Sequence, residues 1–272
     1  MIFPEIGRIY STMAKFQTIR NFAPMQEVIF RDLGNMDYEQ AWTYQETLLQ
    51  ENVQIKSEAR RLAESLQSVS DDLSTPVDYL RETRHHLLFV EHPPVYTLGK
   101  SGHEENILLD EQGMQEKGIQ FFRTNRGGDI TFHGPGQIVG YPILDLEKFY
   151  TDIGKYLRNL EEVFILVLAE YGIKGERSAG ETGVWIDAGI KGRERKICAI
   201  GVRCSRWITM HGFAFNVNTD LAYFGGIVPC GIQDKQVSSL EKELGHPVPL
   251  EEVKGVAKRQ FERVFEVRLV EN

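Results

Sequence analysis

The segment from Arg126 to Pro142, RGGDITFHGPGQIVGYP, limits what this chain can fold into more than any other. Five glycines fall within the fifteen residues from Arg126 to Gly140, interleaved with the strand formers Ile130, Thr131, Phe132, Ile138 and Val139. Glycine reaches φ > 0 without penalty and lets a second backbone or a ligand approach closely. Such a run reads as short strands joined by glycine turns, with main chain exposed to whatever binds there. It is not a phosphate loop, because GxxxxGK[ST] and the helix that would follow it are both missing. Glycine turns around an ordinary strand are the plainer alternative.

The surroundings are β-rich with a few strong helices. Val28–Asp32, His86–His92, Phe121–Arg123, Asp129–Phe132 and Ile138–Leu144 read as strands, the second ending at Pro93-Pro94. From Gly183 to Val217 the pattern predicts an antiparallel meander: Gly183–Ile186, Lys196–Arg203 and Trp207–Val217. Strict alternation in the last of these puts Trp207, Thr209, His211, Phe213 and Phe215 on one face. Asp37 suits the N-cap of a helix carrying Tyr38, Trp42, Leu48 and Leu49 and running on through Arg60–Leu66. Asp152 opens a second, with Ile153, Tyr156, Leu157, Leu160, Phe164 and Val167 at helical spacing and Gly172 as its stop. Pro249 precedes a closing amphipathic helix. Ser68–Pro76 reads as a loop. The predicted class is α+β: a mixed, mostly antiparallel sheet with helices packed on it.

At 272 residues the chain has room for one large domain with additions. The expected division is an N-terminal extension over 1–27 and a catalytic domain over 28–272. A net charge of −8, with no long basic stripe to offset it, argues against nucleic acid as a partner. No apolar run is long enough to span a bilayer, and no secretory signal precedes Met25, so neither membrane residence nor export is expected. The three cysteines, Cys198, Cys204 and Cys230, form no CxxC pair and no zinc spacing. They read as free thiols in a reducing, cytoplasmic compartment. No metal site and no bound cofactor is expected.

Six ordered stretches together resemble the octanoyl-carrier-protein:protein octanoyltransferases, which share their fold with biotin and lipoate protein ligases. They are Glu91–Gly99 (EHPPVYTLG), the RGGxxTxHGPGQ core from Arg126, Gly183-Val184-Trp185, Lys196–Gly201 (KICAIG), His211–Val217 (HGFAFNV) and Pro229-Cys230-Gly231. The resemblance runs from about Val28 to the end. It implies that Cys230 is the acyl-thioester nucleophile and that Lys196 stands beside it. It further implies that Arg126, Gly127, Gly128, Asp129, Ile130, Thr131, Phe132 and His133 frame the acyl pocket. Ala199, Ile200 and Gly201 match a second substrate-contacting stretch, Gly212, Phe213 and Ala214 a third, and His92 faces the same pocket. The implied donor is octanoyl acyl-carrier protein. The implied acceptors are lipoyl domains of 2-oxoacid dehydrogenase complexes and the glycine cleavage H protein. Phe132 stands where the family commonly has tyrosine, and Ile200 and Phe213 replace neighbours of different size or branching. An acidic carrier also needs a basic landing site, for which Lys191, Arg193, Arg195 and Lys196, joined by Arg203 and Arg206, are the candidates, a solvated hairpin turn being the plainer reading.

The chemistry asks for these residue types in its own right. Moving an acyl group from thioester to amine divides into two steps through a cysteine, because thiolate is a strong nucleophile and its thioester stays reactive to amines. A free thiol, with a pKa of about 8.5, is only slightly ionised at neutral pH, so a neighbouring ammonium helps. The same lysine could take the proton of the attacking amine. A lysine blunting an edge strand is the alternative reading of Lys196. Cys198 and Cys204, lacking the Pro/Gly context, read as packing residues, and His211 as structural. Two other functions compete: an ATP-dependent lipoate or biotin ligase of the same fold, which needs no nucleophilic cysteine, and a silent acyl- or carrier-binding protein.

Overall fold

The computed structural model describes residues 25–67, 81–228 and 236–271. Residues 1–24, most of the expected extension, lie outside these, as do the expected loop at Ser68–Pro76 and the Pro229-Cys230-Gly231 stretch.

Two sheets form the framework. Described in chain order, the strands of the large one are β1 (Gln26–Asn35), β2 (His85–Glu91), β6 (Gln137–Ile143), β7 (Val184–Ile186), β8 (Arg195–Ser205), β9 (Ile208–Asn216), β10 (Gln236–Val237) and β11 (Val267–Glu271). They lie side by side as β10-β8-β9-β6-β2-β1-β11, with β7 also paired to β8. The small sheet has β3 (Val95–Leu98) between β4 (Gln120–Arg123) and β5 (Ile130–His133). The β7-β8-β9 meander is antiparallel throughout, whereas β1 runs parallel to both β2 and β11, so the large sheet is mixed as expected.

Helix α1 (Tyr38–Gln67) begins directly after Asp37, whose carboxylate accepts from the Glu39 N–H at 2.9 Å. It covers one face of the large sheet, where Ala41, Leu48 and Leu49 meet Leu88, Val90, Val139, Tyr141, Met210 and Ala214. The opposite face carries α3 (Ile153–Glu170) and α5 (Leu250–Phe265), packed on Leu87, Phe89, Ile138, Phe213 and Phe215. Asp152 caps α3 by accepting from the Lys155 N–H, as its position before the periodic run requires. Two short helices, α2 (Glu111–Glu116) and α4 (Leu240–Leu244), complete the set, α2 leading into β4 and α4 following β10.

Three local features differ from the sequence reading. The strand β1 starts at Gln26, two residues before the expected domain boundary, and is paired from that residue with β11, which the sequence reading did not anticipate. Strand β2 stops ahead of Pro93-Pro94 as expected, but a strand that the sequence reading did not list, β3, starts at once at Val95 and forms the centre of the small sheet. The alternation in β9 fails at His211, whose φ is +56°. Its ring leaves the Phe213 face and lies among Trp42 of α1, 6.1 Å away, and Tyr141 of β6, 6.5 Å away. A non-glycine residue in this region is uncommon and costs on the order of 1–3 kcal/mol, so the surrounding contacts must hold it there.

Candidate active site

Between the two sheets lies a cavity of about 880 Å³, reached by Tyr38 from α1 and by Ile153 and Leu157 from α3. Its rim and walls hold fourteen of the seventeen residues that the sequence singled out: Arg126, Gly127, Gly128, Asp129, Ile130, Thr131, His133, Lys196, Ala199, Ile200, Gly201, Gly212, Phe213 and Ala214. The three others are Phe132, His92 and Cys230. Phe132 occupies the reverse face of β5, stacked on Tyr223 with ring centroids 4.8 Å apart, in the apolar core of the small sheet. His92 is buried one layer behind the wall. Cys230 lies outside the described residues, although the chain on either side is fixed: the Val228 N–H donates to the Asn106 carbonyl and the Gln236 N–H to that of Glu194.

The glycines create the space by letting main chains and one cation meet. A Cβ on Gly99 would lie 2.2 Å from the Gly128 carbonyl and 2.9 Å from the Arg126 guanidinium. One on Gly201 would lie 2.8 Å from the Gly127 carbonyl, and one on Gly212 only 2.2 Å from that of Gly140. Gly128 and Gly136 have φ of +87° and +76°, which a side chain would resist. Folded this way, the loop lays the Gly127 N–H on the Val202 carbonyl at 2.9 Å, and Asp129 ties the neighbouring segment by accepting from the His103 N–H and the Asn106 side chain.

Lys196 reaches the cavity because β8 is bulged. Val184 is in register with Cys198 but Trp185 with Lys196, so β8 carries one extra residue, Ile197. Ile197 and Cys198 are accordingly both buried in the α3-side core, and Lys196 is turned to the opposite face, which it shares with Ala199. Bulges commonly re-aim a side chain next to a site in this way. The Lys196 ammonium sits 4.6 Å from the centre of the Trp185 ring, and its stem runs past Gly183, where a Cβ would stand 3.4 Å from Cε. The edge-strand reading of Lys196 does not hold, since β7 flanks it and Val237 of β10 is in register with it on the other side.

Beneath the glycine loop runs a hydrogen-bond network whose direction is set by chemistry. The Arg126 guanidinium, which can only donate, gives to Thr97 Oγ1 at 3.0 Å and to the Thr97 carbonyl at 2.5 Å. The Gln137 amide nitrogen faces the Phe132 carbonyl at 3.1 Å, so its oxygen is left for His133 Nδ1 at 2.9 Å, and His133 bears its proton on Nδ1. His133 Nε2 is then the acceptor for the Thr97 hydroxyl at 3.3 Å. Burial holds the His133 imidazolium pKa well below its ordinary value, with His92 and Arg126 adding to the effect. His92 donates from Nδ1 to the Met36 carbonyl and accepts from the Tyr141 hydroxyl at Nε2, both at 2.7 Å, and burial lowers its pKa to about 4. His211 contacts the Asn125 side chain at 2.7 Å, and burial followed by the Arg126 charge brings it to about 3. All three rings are therefore neutral near pH 7. Tyr38, Gln137, Tyr141 and Asn216 join the wall without having been singled out, and His211, read from the sequence as structural, joins it too. Gln137 and Asn216 do lie inside the quoted motifs, whereas Tyr38 comes from α1 with no local signal.

The remaining thiols behave as packing residues. Cys198 is fully buried with its pKa pushed well up by desolvation, and that of half-buried Cys204 is raised for the same reason. The expected basic landing patch is largely neutralised from within. Arg193 and Arg195 pair with Asp187, Arg195 also with Glu243, and Arg203 with Glu46, while Arg206 donates to Ser57. Among the described residues no cluster of three or more His, Cys, Asp or Glu could hold a metal, and no helix is long and apolar enough to cross a membrane.

A bulged strand delivers a lysine to a glycine-lined cavity between a large and a small sheet, and this arrangement is built on the lipoate protein ligase fold. The solved structures with this fold include a bipartite lipoate protein ligase from Thermoplasma acidophilum, with a TM-score of 0.61 and 18% identity over 91% of this chain and 87% of that one. A lipoate-protein ligase A bound with ATP also has a TM-score of 0.61, with 15% identity over 91% and 88%. The chain belongs to the lipoyl protein ligase A/B catalytic domain family, whose model matches residues 37–262. Curated relatives named octanoyltransferase come from Christiangramia forsetii, 54% identical over 90% of this chain and 98% of its own, and from Flavobacterium johnsoniae, 54% identical over 90% and 99%.

Proposed function

We propose that the protein moves an octanoyl group from acyl-carrier protein to the lysine of a lipoyl domain through a thioester on Cys230. Octanoyl transfer in protein lipoylation is supported by relatives at 54% identity that this chain covers almost end to end. The observation that carries the two-step reading is the placement of Lys196, turned into the cavity by the Ile197 bulge and in register with Val237, seven residues after Cys230.

In the first step the Cys230 thiolate, its charge offset by the Lys196 ammonium, attacks the carbonyl of the donor thioester and the carrier thiolate leaves, taking a proton from Lys196 and leaving that amine neutral. In the second, the acceptor amine attacks the Cys230 thioester, its proton passes to Lys196, and Cys230 leaves as thiolate. Ala199, Ala214 and Val139 line the wall with apolar side chains, against which the acyl chain would lie. The donor is acyl-carrier protein, the acceptors are lipoyl domains of 2-oxoacid dehydrogenase complexes and the H protein, and the site of action is the cytoplasm.

Intact-mass spectrometry after incubation with octanoyl acyl-carrier protein tests this directly. The wild type gains one octanoyl mass, removable by hydroxylamine, and Cys230→Ala gains none. Labelling at Cys198 or Cys204 would overturn the nucleophile, and ATP-dependent lipoylation by Cys230→Ala would revive the ligase reading.

A further inference from the structure

The polar network under the glycine loop does not end at Gln137. The Gln137 amide nitrogen also donates to Asn216 Oδ1 at 2.8 Å, and Asn216 Nδ2 donates to the Ser238 carbonyl at 3.0 Å. Ser238 is fully buried, and its own N–H donates to the Lys196 carbonyl at 2.9 Å. Its hydroxyl meets Glu243 of α4, and Glu243 grips Arg195 through Nε and NH2 at 2.6 and 2.7 Å. One residue, Ser238, is thus clamped between Asn216, Glu243 and the main chain of Lys196. The orientation of the two amides is fixed because the main-chain carbonyls of Phe132 and Ser238, which they face, can only accept.

We infer that Asn216 is a positioning residue for octanoyl transfer, fixing Lys196 through Ser238, with Glu243 closing the clamp from the outer side. The inference deepens the reading of Lys196 given above and rests on it. Asn216 is suited to the task by its bifunctional amide: one oxygen for Gln137 and one N–H for Ser238, a combination that neither a carboxylate nor an apolar side chain supplies. Losing the N–H removes the partner that Asn216 gives the Ser238 carbonyl and loosens the residue whose own N–H binds the Lys196 carbonyl.

The test compares Asn216→Asp, Asn216→Leu and wild type in transfer from octanoyl acyl-carrier protein to an apo lipoyl domain. Asn216→Leu lowers kcat roughly tenfold or more, the scale of one buried hydrogen bond, with KM for both substrates little changed. Asn216→Asp keeps the acceptor for Gln137 but donates to Ser238 only when its carboxyl is protonated, and burial raises the pKa of such a group. Its kcat relative to wild type therefore rises about fivefold or more from about pH 8 to about pH 6. The ionisable groups around the position are His133 of β5, Lys196 of β8, Glu243 of α4 and Arg126 of the loop, with His211 further along β9. Wild type shares them all, so the ratio reports the new carboxyl. A flat ratio together with a wild-type kcat in Asn216→Leu would overturn the inference, as would a loss confined to KM, which would mean direct contact with substrate. Should melting curves show that neither variant folds, Glu243→Gln probes the same clamp from α4. There a severalfold fall in kcat at constant KM is expected, and an unchanged kcat counts against the clamp. Failure of the wild type to form any acyl-enzyme would instead sink the Cys230–Lys196 reading.

Discussion

At the scale of single residues, the proposed chemistry turns on one cation whose two duties can be separated by substitution. Lys196→Ala removes both the charge beside the nucleophile and the proton acceptor, so acyl-enzyme formation and transfer both slow, each by something on the order of the 10²- to 10⁴-fold typical of acid–base groups. Arginine keeps a permanent charge but does not give up its proton at neutral pH. Lys196→Arg should therefore acylate more nearly normally than it transfers, provided the longer, planar head still fits over Trp185. Single-turnover measurement of the two half-reactions decides the matter: equal rates for both steps in this variant and wild type would rule out the base role. The buried thiols predict a second outcome. With Cys198 fully buried and both remaining thiol pKa values raised, iodoacetamide at neutral pH should leave Cys198 unmodified in the folded protein, as peptide mapping can show.

At the scale of elements, what the sequence made legible was whatever depends on local pattern. Asp37 and Asp152 marked helix starts, the apolar spacing from Ile153 to Val167 gave α3, and the glycines of the 126–140 run gave the cavity loop. What escaped was set by partners distant in the chain. Strand β11 exists because β1, some 240 residues earlier, offers it a parallel edge. His211 departs from period-two alternation because Trp42 and Tyr141 hold its ring and Gln45 accepts its N–H, and nothing near residue 211 announces them. The bulge at Ile197 was equally silent, since KICAIG reads as a regular strand, yet it decides which face Lys196 takes. Helix α5 offers a prediction at this scale. It ends on Glu266, exposed and at φ +54°, φ ψ values for which glycine is the usual residue. A side chain in this region costs on the order of 1–2 kcal/mol, partly offset by the greater unfolded-state freedom of glycine. Glu266→Gly should therefore raise stability by about 1 kcal/mol in urea unfolding without touching turnover, and a destabilised variant would contradict this account of the helix end.

At the scale of the whole molecule, five of the seven histidines are buried, and their combined titration sets the acid limit of the fold. Burial brings His85, His86 and His92 down to about 4 and His211 to about 3, and drives His133 well below its ordinary value. In the unfolded chain each would titrate near 6.5. Between about pH 6.5 and 4 the unfolded state consequently binds more protons than the folded one, so stability falls as pH falls across that window and is independent of these groups above it. Carboxylates such as Asp37 and Glu243, held below their ordinary range by Gln120 and Arg195, extend the loss to still lower pH. His86 separates this origin from general acid effects. It faces the α1 side beside Leu88 and Val90, its Nδ1 has no hydrogen-bond partner among the described residues, and its titration is depressed by burial and then by Arg31. His86→Leu removes one depressed titration and one unpaired buried nitrogen together. Its melting temperature should fall less than that of wild type between about pH 7 and pH 5, with turnover at neutral pH unchanged because His86 is outside the cavity wall. Parallel melting curves for the two proteins across that interval would show that the buried histidines do not govern acid stability.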